Sequence, residues 1–152
     1  MDPDLTALTS PPVALAAPVA EDDCADDGTA TMLSLVNAER EQQGLDALEV
    51  SEEIKAAASV RVLEVEERFS HDRPDGTLES LLDESDVEWT VAAETLAVAV
   101  APTPAAAADQ AYRSWMNSPE HRDILLSPEY ARTGIAIGQA GGRWLFVELV
   151  AD

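Results

Sequence analysis

Hydrophobic spacing divides the chain into a helical front and middle and a strand-bearing end. Leu33, Leu35 and Val36 set against Asn37, Arg40 and Glu41 predict an amphipathic first helix. Gly44 stops it in the C-terminal glycine position. Ser51 then suits the N-cap of a second helix, with Glu52 and Glu53 in a first turn whose dipole favours anions. Ile54, Ala58, Val62 and Val65 share one stripe of that helix, which should end near Arg68. The turn-forming Arg73-Pro74-Asp75-Gly76 follows, and Thr77 is placed to cap a short helix carrying Leu78, Leu81 and Leu82.

From Val91 to Val100 the chain is apolar and β-tolerant apart from Glu94 and Thr95. Thr103 and Pro104 read as the N-cap and first position of a helix running through Ala111, Tyr112 and Trp115. Ser118-Pro119 restarts the chain as a shorter helix through His121 and Leu125. The period then changes. Ile135 and Ile137 alternate with Ala136 and Gly138, Gly141-Gly142 makes a turn, and Trp144 to Val150 supplies a return strand. Trp115, Trp144 and Phe146 fall at helical or strand spacing and are assigned to the interior.

Residues 1–30 break this patterning. They hold seven acids, no bases and four prolines, including the Ala/Pro/Val run from Pro11 to Ala20. Such a composition builds no packed core and reads as a linker or tail. The expected division is therefore a flexible segment 1–28 followed by one domain over 29–152. A secretory signal needs a basic n-region, which this segment lacks, so the chain is expected to begin after a removed export signal. Hydrophobic content of 46% suits one soluble domain of about 120 residues, and no run approaches the roughly 20 apolar residues that span a bilayer.

Charge changes the picture further. Thirty acids against nine bases give a net charge of −21, and the bases are eight arginines and Lys55. Such a surface repels phosphate backbones, which argues against nucleic-acid partners. It would attract divalent cations, basic peptides or cationic polymers, but a solubility strategy or a salty habitat is the favoured reading, since diffuse charge acts on solubility more than on a site. Cys24 is the only cysteine, so no intrachain disulfide forms. The acids around it disfavour the thiolate.

Candidate chemistry is sparse. The chain has two histidines, His71 in a loop after a helix and His121 on the short helix opened by Pro119, with Glu94 between them in sequence. Two imidazoles and a carboxylate can fill three positions of a zinc site and leave one open. Their spacing is not a local metal motif. Glu94, the lone acid of an apolar run, needs a polar partner to offset desolvation. Ser70 adjoins His71, but adjacency alone does not put hydroxyl and imidazole in hydrogen-bond geometry. The chain carries neither a nucleophile elbow nor a His-Glu-x-x-His helix.

The stretches Phe69-Ser70-His71-Asp72-Arg73-Pro74-Asp75-Gly76 and Trp115-Met116-Asn117-Ser118-Pro119-Glu120-His121-Arg122 resemble two signature segments of the CAP superfamily, in particular bacterial SCP-like extracellular proteins. Leu35-Val36-Asn37-Ala38-Glu39-Arg40, then Gly44 and Leu48, and the ending Tyr130 to Gly134 with its hairpin are similar as well, so the resemblance covers about residues 31–150. It implies an α+β fold, an α-β-α sandwich closed by a C-terminal β-hairpin, around a cavity lined by His71, Glu94 and His121. Glu94 matches the glutamate of a Gly-Glu-Asn motif, which here reads Ala93-Glu94-Thr95. The family's second cavity glutamate falls at Ser118.

On that resemblance His71, Glu94 and His121 are the expected metal ligands, with zinc or another divalent cation weakly bound because Ser118 supplies no charge. Arg73 and Asp75 are read as a local ion pair or turn hydrogen bonds, and Asn37 and Arg40 as ties from the first helix to a loop. The leading expectation is an extracellular or cell-surface, non-enzymatic binding module with an unknown extracellular ligand or protein partner. A metal-assisted, peptidase-like hydrolase is the alternative, and lipid or sterol binding, associated with some relatives, is a third.

Overall fold

A computed structural model describes residues 21–152 of the chain. Most of the segment expected to be a tail, residues 1–20, lies outside the described residues, as does the side chain of Cys24. Helix α1 spans Glu21–Gln42, beginning before the onset of order expected at Thr29. Strand β1 (Glu49–Val50), α2 (Glu52–Glu67), α3 (Leu78–Glu84), β2 (Ala92–Ala99), α4 (Pro104–Met116), α5 (Pro119–Leu125), β3 (Arg132–Ala140) and β4 (Arg143–Ala151) follow. The caps are those the sequence marks. Ser51, Thr77 and Thr103 each accept from a backbone N–H in the first turn, and Thr77 and Ser80 complete a reciprocal capping box.

The sheet runs in the order β1-β3-β4-β2. β4 lies antiparallel between β3 and β2, and the two-residue β1 pairs parallel with β3 through Glu49 and Arg132. Strand β4 is covered on both faces, which is why its sequence reads as a nearly continuous apolar run. Leu145, Val147, Leu149 and Ala151 face a core built with α2 and α3. Phe146 and Val150 face a second core under α1, α4 and α5, which also holds Trp115. The fold is α+β, with helices on both faces of one four-stranded sheet.

Two positions show how closely these layers fit. A side chain at Gly134 of β3 would meet the backbone of Ile54 and Lys55 at 2.4 Å, so α2 approaches the sheet only because that residue is glycine. On the other face Arg40, expected on the polar side of α1, is only 2% exposed. Its guanidinium donates to the carbonyls of Asp46, Leu125, Ser127 and Tyr130 at 2.8–3.1 Å. Asn37 ties α1 to the loop beside it, exchanging two hydrogen bonds with the Leu48 backbone. Burial is affordable for Arg40 because its donors find carbonyl acceptors.

Arg40 has a buried acid near it. Glu148 of β4 is fully buried; its Oε2 lies 2.7 Å from Thr133 Oγ1, and its Oε1 has no hydrogen-bond partner among the described residues. Burial raises its carboxyl from 4.5 to about 7, against the Thr133 hydrogen bond and the Arg40 charge, which lower it. In the neutral form its O–H can donate to Thr133 Oγ1, while the Thr133 hydroxyl serves the Leu149 carbonyl at 3.0 Å.

The raised carboxyl couples folding to pH. Between 4.5 and about 7 the folded state binds the proton that the unfolded state has released, so stability falls as pH rises. That gap corresponds to roughly 3 kcal/mol at about 1.4 kcal/mol for each pH unit. Urea denaturation should show this contribution complete below pH 4.5 and lost through pH 7. Glu148→Gln should remove that slope and leave the variant the more stable form at pH 8; identical pH profiles for both proteins would refute the assignment.

Candidate functional site

The inward face of α2 consists of Ile54, Ala57, Ala58, Arg61, Val62 and Val65. Arg61 is the exception among them, a cation 1% exposed against the sheet. Glu94 reaches the same space from β2, where alternation puts it on the face of Ala92, Leu96 and Val98. Arg61 Nε donates to Glu94 Oε2 at 2.6 Å, and Nη2 donates to Oε1 at 3.3 Å. The same Nη2 donates to the Ser70 carbonyl, and Nη1 to Glu64 Oε1 at 3.3 Å. The acid of the apolar run thus finds its charge partner within the core. The spacing of Arg61, four residues from Ala57 and seven from Ile54, was the available signal: it sets a charge on an apolar stripe.

Fixing the Ser70 carbonyl also fixes His71. Its Nδ1 lies 2.9 Å from Glu94 Oε1, while the side chain as a whole is 62% exposed. An ionised carboxylate can only accept, so Nδ1 carries the hydrogen, and in the neutral ring Nε2 keeps its lone pair. Ser70 turns its hydroxyl to the backbone N–H of Asp72 at 3.0 Å rather than to the imidazole. No serine–histidine pair forms there.

The next turn is anchored to the same helix. Arg73 donates to both Glu64 oxygens at 2.9 and 2.8 Å and to the Thr77 carbonyl at 2.9 Å. The expected turn hydrogen bond is present, but the ion pair is with Glu64 and not with Asp75. A forked guanidinium matches a carboxylate on a rigid helix better than one across its own turn. The Arg73 hydrogen bond holds the Glu64 carboxyl below its ordinary range, and Glu64 in turn raises the Arg73 guanidinium.

His121 belongs to a second pair. Its Nδ1 lies 2.8 Å from Ser118 Oγ. Ser118 is the N-cap of α5, yet its side chain makes no capping bond because the hydroxyl is turned to the histidine. Helix α5 packs against β2, the strand that carries Glu94. No hydrogen bond joins the Ser118–His121 pair to the His71–Glu94 pair among the described residues. Glu120 is exposed.

This donor set fits a divalent cation poorly. Both Glu94 oxygens are occupied, by Arg61 and His71, and Arg61 supplies the charge a cation would supply. Among the described residues no group of three or more His, Cys, Asp or Glu side chains is arranged to hold a metal. Glu94 stands behind His71, a place typical of a carboxylate that orients an imidazole rather than of a ligand.

Comparison with known proteins bears on the family and the fold. The family model described as the cysteine-rich secretory protein family, CAP, matches residues 33–150. An uncharacterized Bacillus subtilis protein, YkwD, is 27% identical over 116 residues, 74% of this chain and 43% of that protein. The chain therefore spans less than half of that relative. Among solved structures, an extracellular Bacillus anthracis protein containing an SCP domain aligns with a TM-score of 0.72 at 23% identity, over 90% of this chain and 45% of that one. An outer surface protein of Borrelia burgdorferi aligns with a TM-score of 0.73 at 18% identity, over 83% and 92%. These two likenesses concern the fold.

Removing Arg61 should strand a buried carboxylate. Arg61→Met is expected to cost about 3 kcal/mol, the scale for breaking a buried pair from one side. Arg61→Met/Glu94→Gln should recover most of that loss, since the uncompensated charge is gone. Chemical denaturation of the single and double variants at neutral pH measures both values, and additive losses would show that the two residues are not coupled.

Proposed function

The chain belongs to the cysteine-rich secretory protein (CAP) family, and we propose that it acts outside the cell as a binding module rather than an enzyme, presenting imidazole nitrogen to its ligand. The observation that carries this reading is the Arg61–Glu94–His71 chain of contacts. It spends the carboxylate on orienting His71 and leaves His71 Nε2 without a hydrogen-bond partner among the described residues, open to a ligand. A carboxylate whose two oxygens already accept from Arg61 and face His71 is poorly placed to take a proton from water. The names of relatives as extracellular or outer-surface proteins support the location. No helix among the described residues is long and apolar enough to cross a membrane.

A divalent cation is at most a weak occupant on this reading, held by imidazole without a carboxylate ligand. Zinc titration followed by calorimetry should give weak heats that require His71 and fade as pH falls, since protonated imidazole does not ligate. A tight one-to-one site that survives His71→Ala would contradict the assignment. Peptide substrates with and without zinc should show no turnover. Zinc-dependent cleavage abolished by Glu94→Gln would instead establish the hydrolase, and saturable uptake of a hydrophobic probe indifferent to zinc would establish a lipid carrier.

A further inference from the structure

The outward side of α2 is unlike the rest of this acidic surface. Val60 is 45% exposed, Leu63 61% and Phe69, just beyond the helix, 51%, three of the five large hydrophobic side chains exposed to this degree among the described residues. Val60 and Leu63 lie one turn apart on the face opposite Arg61 and Val62. Beside them is a depression of about 360 Å³ lined by Leu63, Glu64, Glu67, Arg68 and Pro74. Its volume is at the lower end of the roughly 300–1,000 Å³ common for binding pockets, enough for a bulky apolar anchor. Clustered exposed apolar side chains with a polar rim mark interaction sites more often than scattered ones do.

The rim decides the partner. The carboxylates of Glu67, Asp72 and Asp75 are exposed and make no hydrogen bond or ion pair among the described residues, and Glu67 lines the depression with the cation Arg68. Glu64 is kept ionised by Arg73, so their charges offset each other. A second copy of the chain would bring two bodies of net charge −21 together, which like-charge repulsion opposes. An anionic membrane is disfavoured on the same ground.

We propose that the face formed by Val60, Leu63, Phe69 and Pro74 is a docking surface for a cationic amphipathic peptide segment of a partner protein. Apolar residues of that segment cover Leu63 and Phe69 and enter the depression, and its Lys or Arg side chains meet Glu67, Asp72 and Asp75. This is the helix-and-groove mode of recognition, with charge fixing register and partner choice. The surface adjoins the His71 loop and does not use the imidazole.

The test uses a fluorescein-labelled amphipathic peptide of Leu and Lys, titrated with the full chain at physiological ionic strength and read by anisotropy. Saturable binding is expected, weakened roughly tenfold or more by Leu63→Ser/Phe69→Ser. Glu67→Gln/Asp72→Asn/Asp75→Asn should weaken it as well and flatten its salt dependence. Both sets are exposed, so melting temperatures should stay close to that of the parent. His71→Ala should bind the peptide as the parent does, which separates this surface from the imidazole site. Equal affinity for oligolysine would overturn the proposal in favour of diffuse charge. Unchanged affinity in Leu63→Ser/Phe69→Ser would also overturn it, as would self-association of the parent abolished by that variant, or uptake by neutral vesicles that competes with the peptide.

Discussion

One guanidinium, that of Arg61, holds together the parts of the molecule that bear chemistry. It sits on the buried face of α2, satisfies Glu94 on β2, and grips the carbonyl of Ser70 in the loop beyond the helix. A carboxylate this deep needs a countercharge, and His71 alone is too exposed to supply one dependably. Arg61 meets both Glu94 oxygens, and one of them also faces His71. The loop conformation, the imidazole tautomer and the poor fit to a cation then follow from the same contact.

A second buried arginine organises the opposite face of the sheet. Arg40 gathers carbonyls from the loop after α1, from the last residue of α5 and from the segment beyond it. The two arginines differ in how they are compensated. Arg61 faces a carboxylate directly, whereas Arg40 is held by carbonyl dipoles, that of Asp46 among them, and the side-chain charges of Asp46 and Glu148 act on it through their fields. Burial lowers the Arg40 guanidinium, and those two charges partly restore it.

Local chemistry was legible in the sequence, and long-range chemistry less so. Ser51, Thr77 and Thr103 cap helices because a hydroxyl beside an orphan N–H acts within a few residues. Gly141-Gly142 makes its hairpin for an equally local reason, both residues having positive φ. The two residues of β1 carry no period to detect, since their strand exists only by pairing with Arg132 and Thr133 far along the chain. Arg40 reads in the sequence as a polar-face residue tying α1 to a loop, and its burial is hidden because three of its four acceptors come from far along the chain. Glu94 announced the need for a partner without naming Arg61, and the Ser118–His121 contact is a cap diverted by a neighbour.

The proposed binding role requires Glu94 to orient His71 rather than to act as a ligand beside it. Nitrogen-15 NMR of the two imidazoles in the intact chain at pH 8 tests this most directly, since the two ring nitrogens report separately which one carries the hydrogen. The account predicts that neutral His71 is protonated at Nδ1, with an unprotonated Nε2, and that Glu94→Gln weakens that preference. A His71 ring protonated at Nε2 in the parent protein would contradict it.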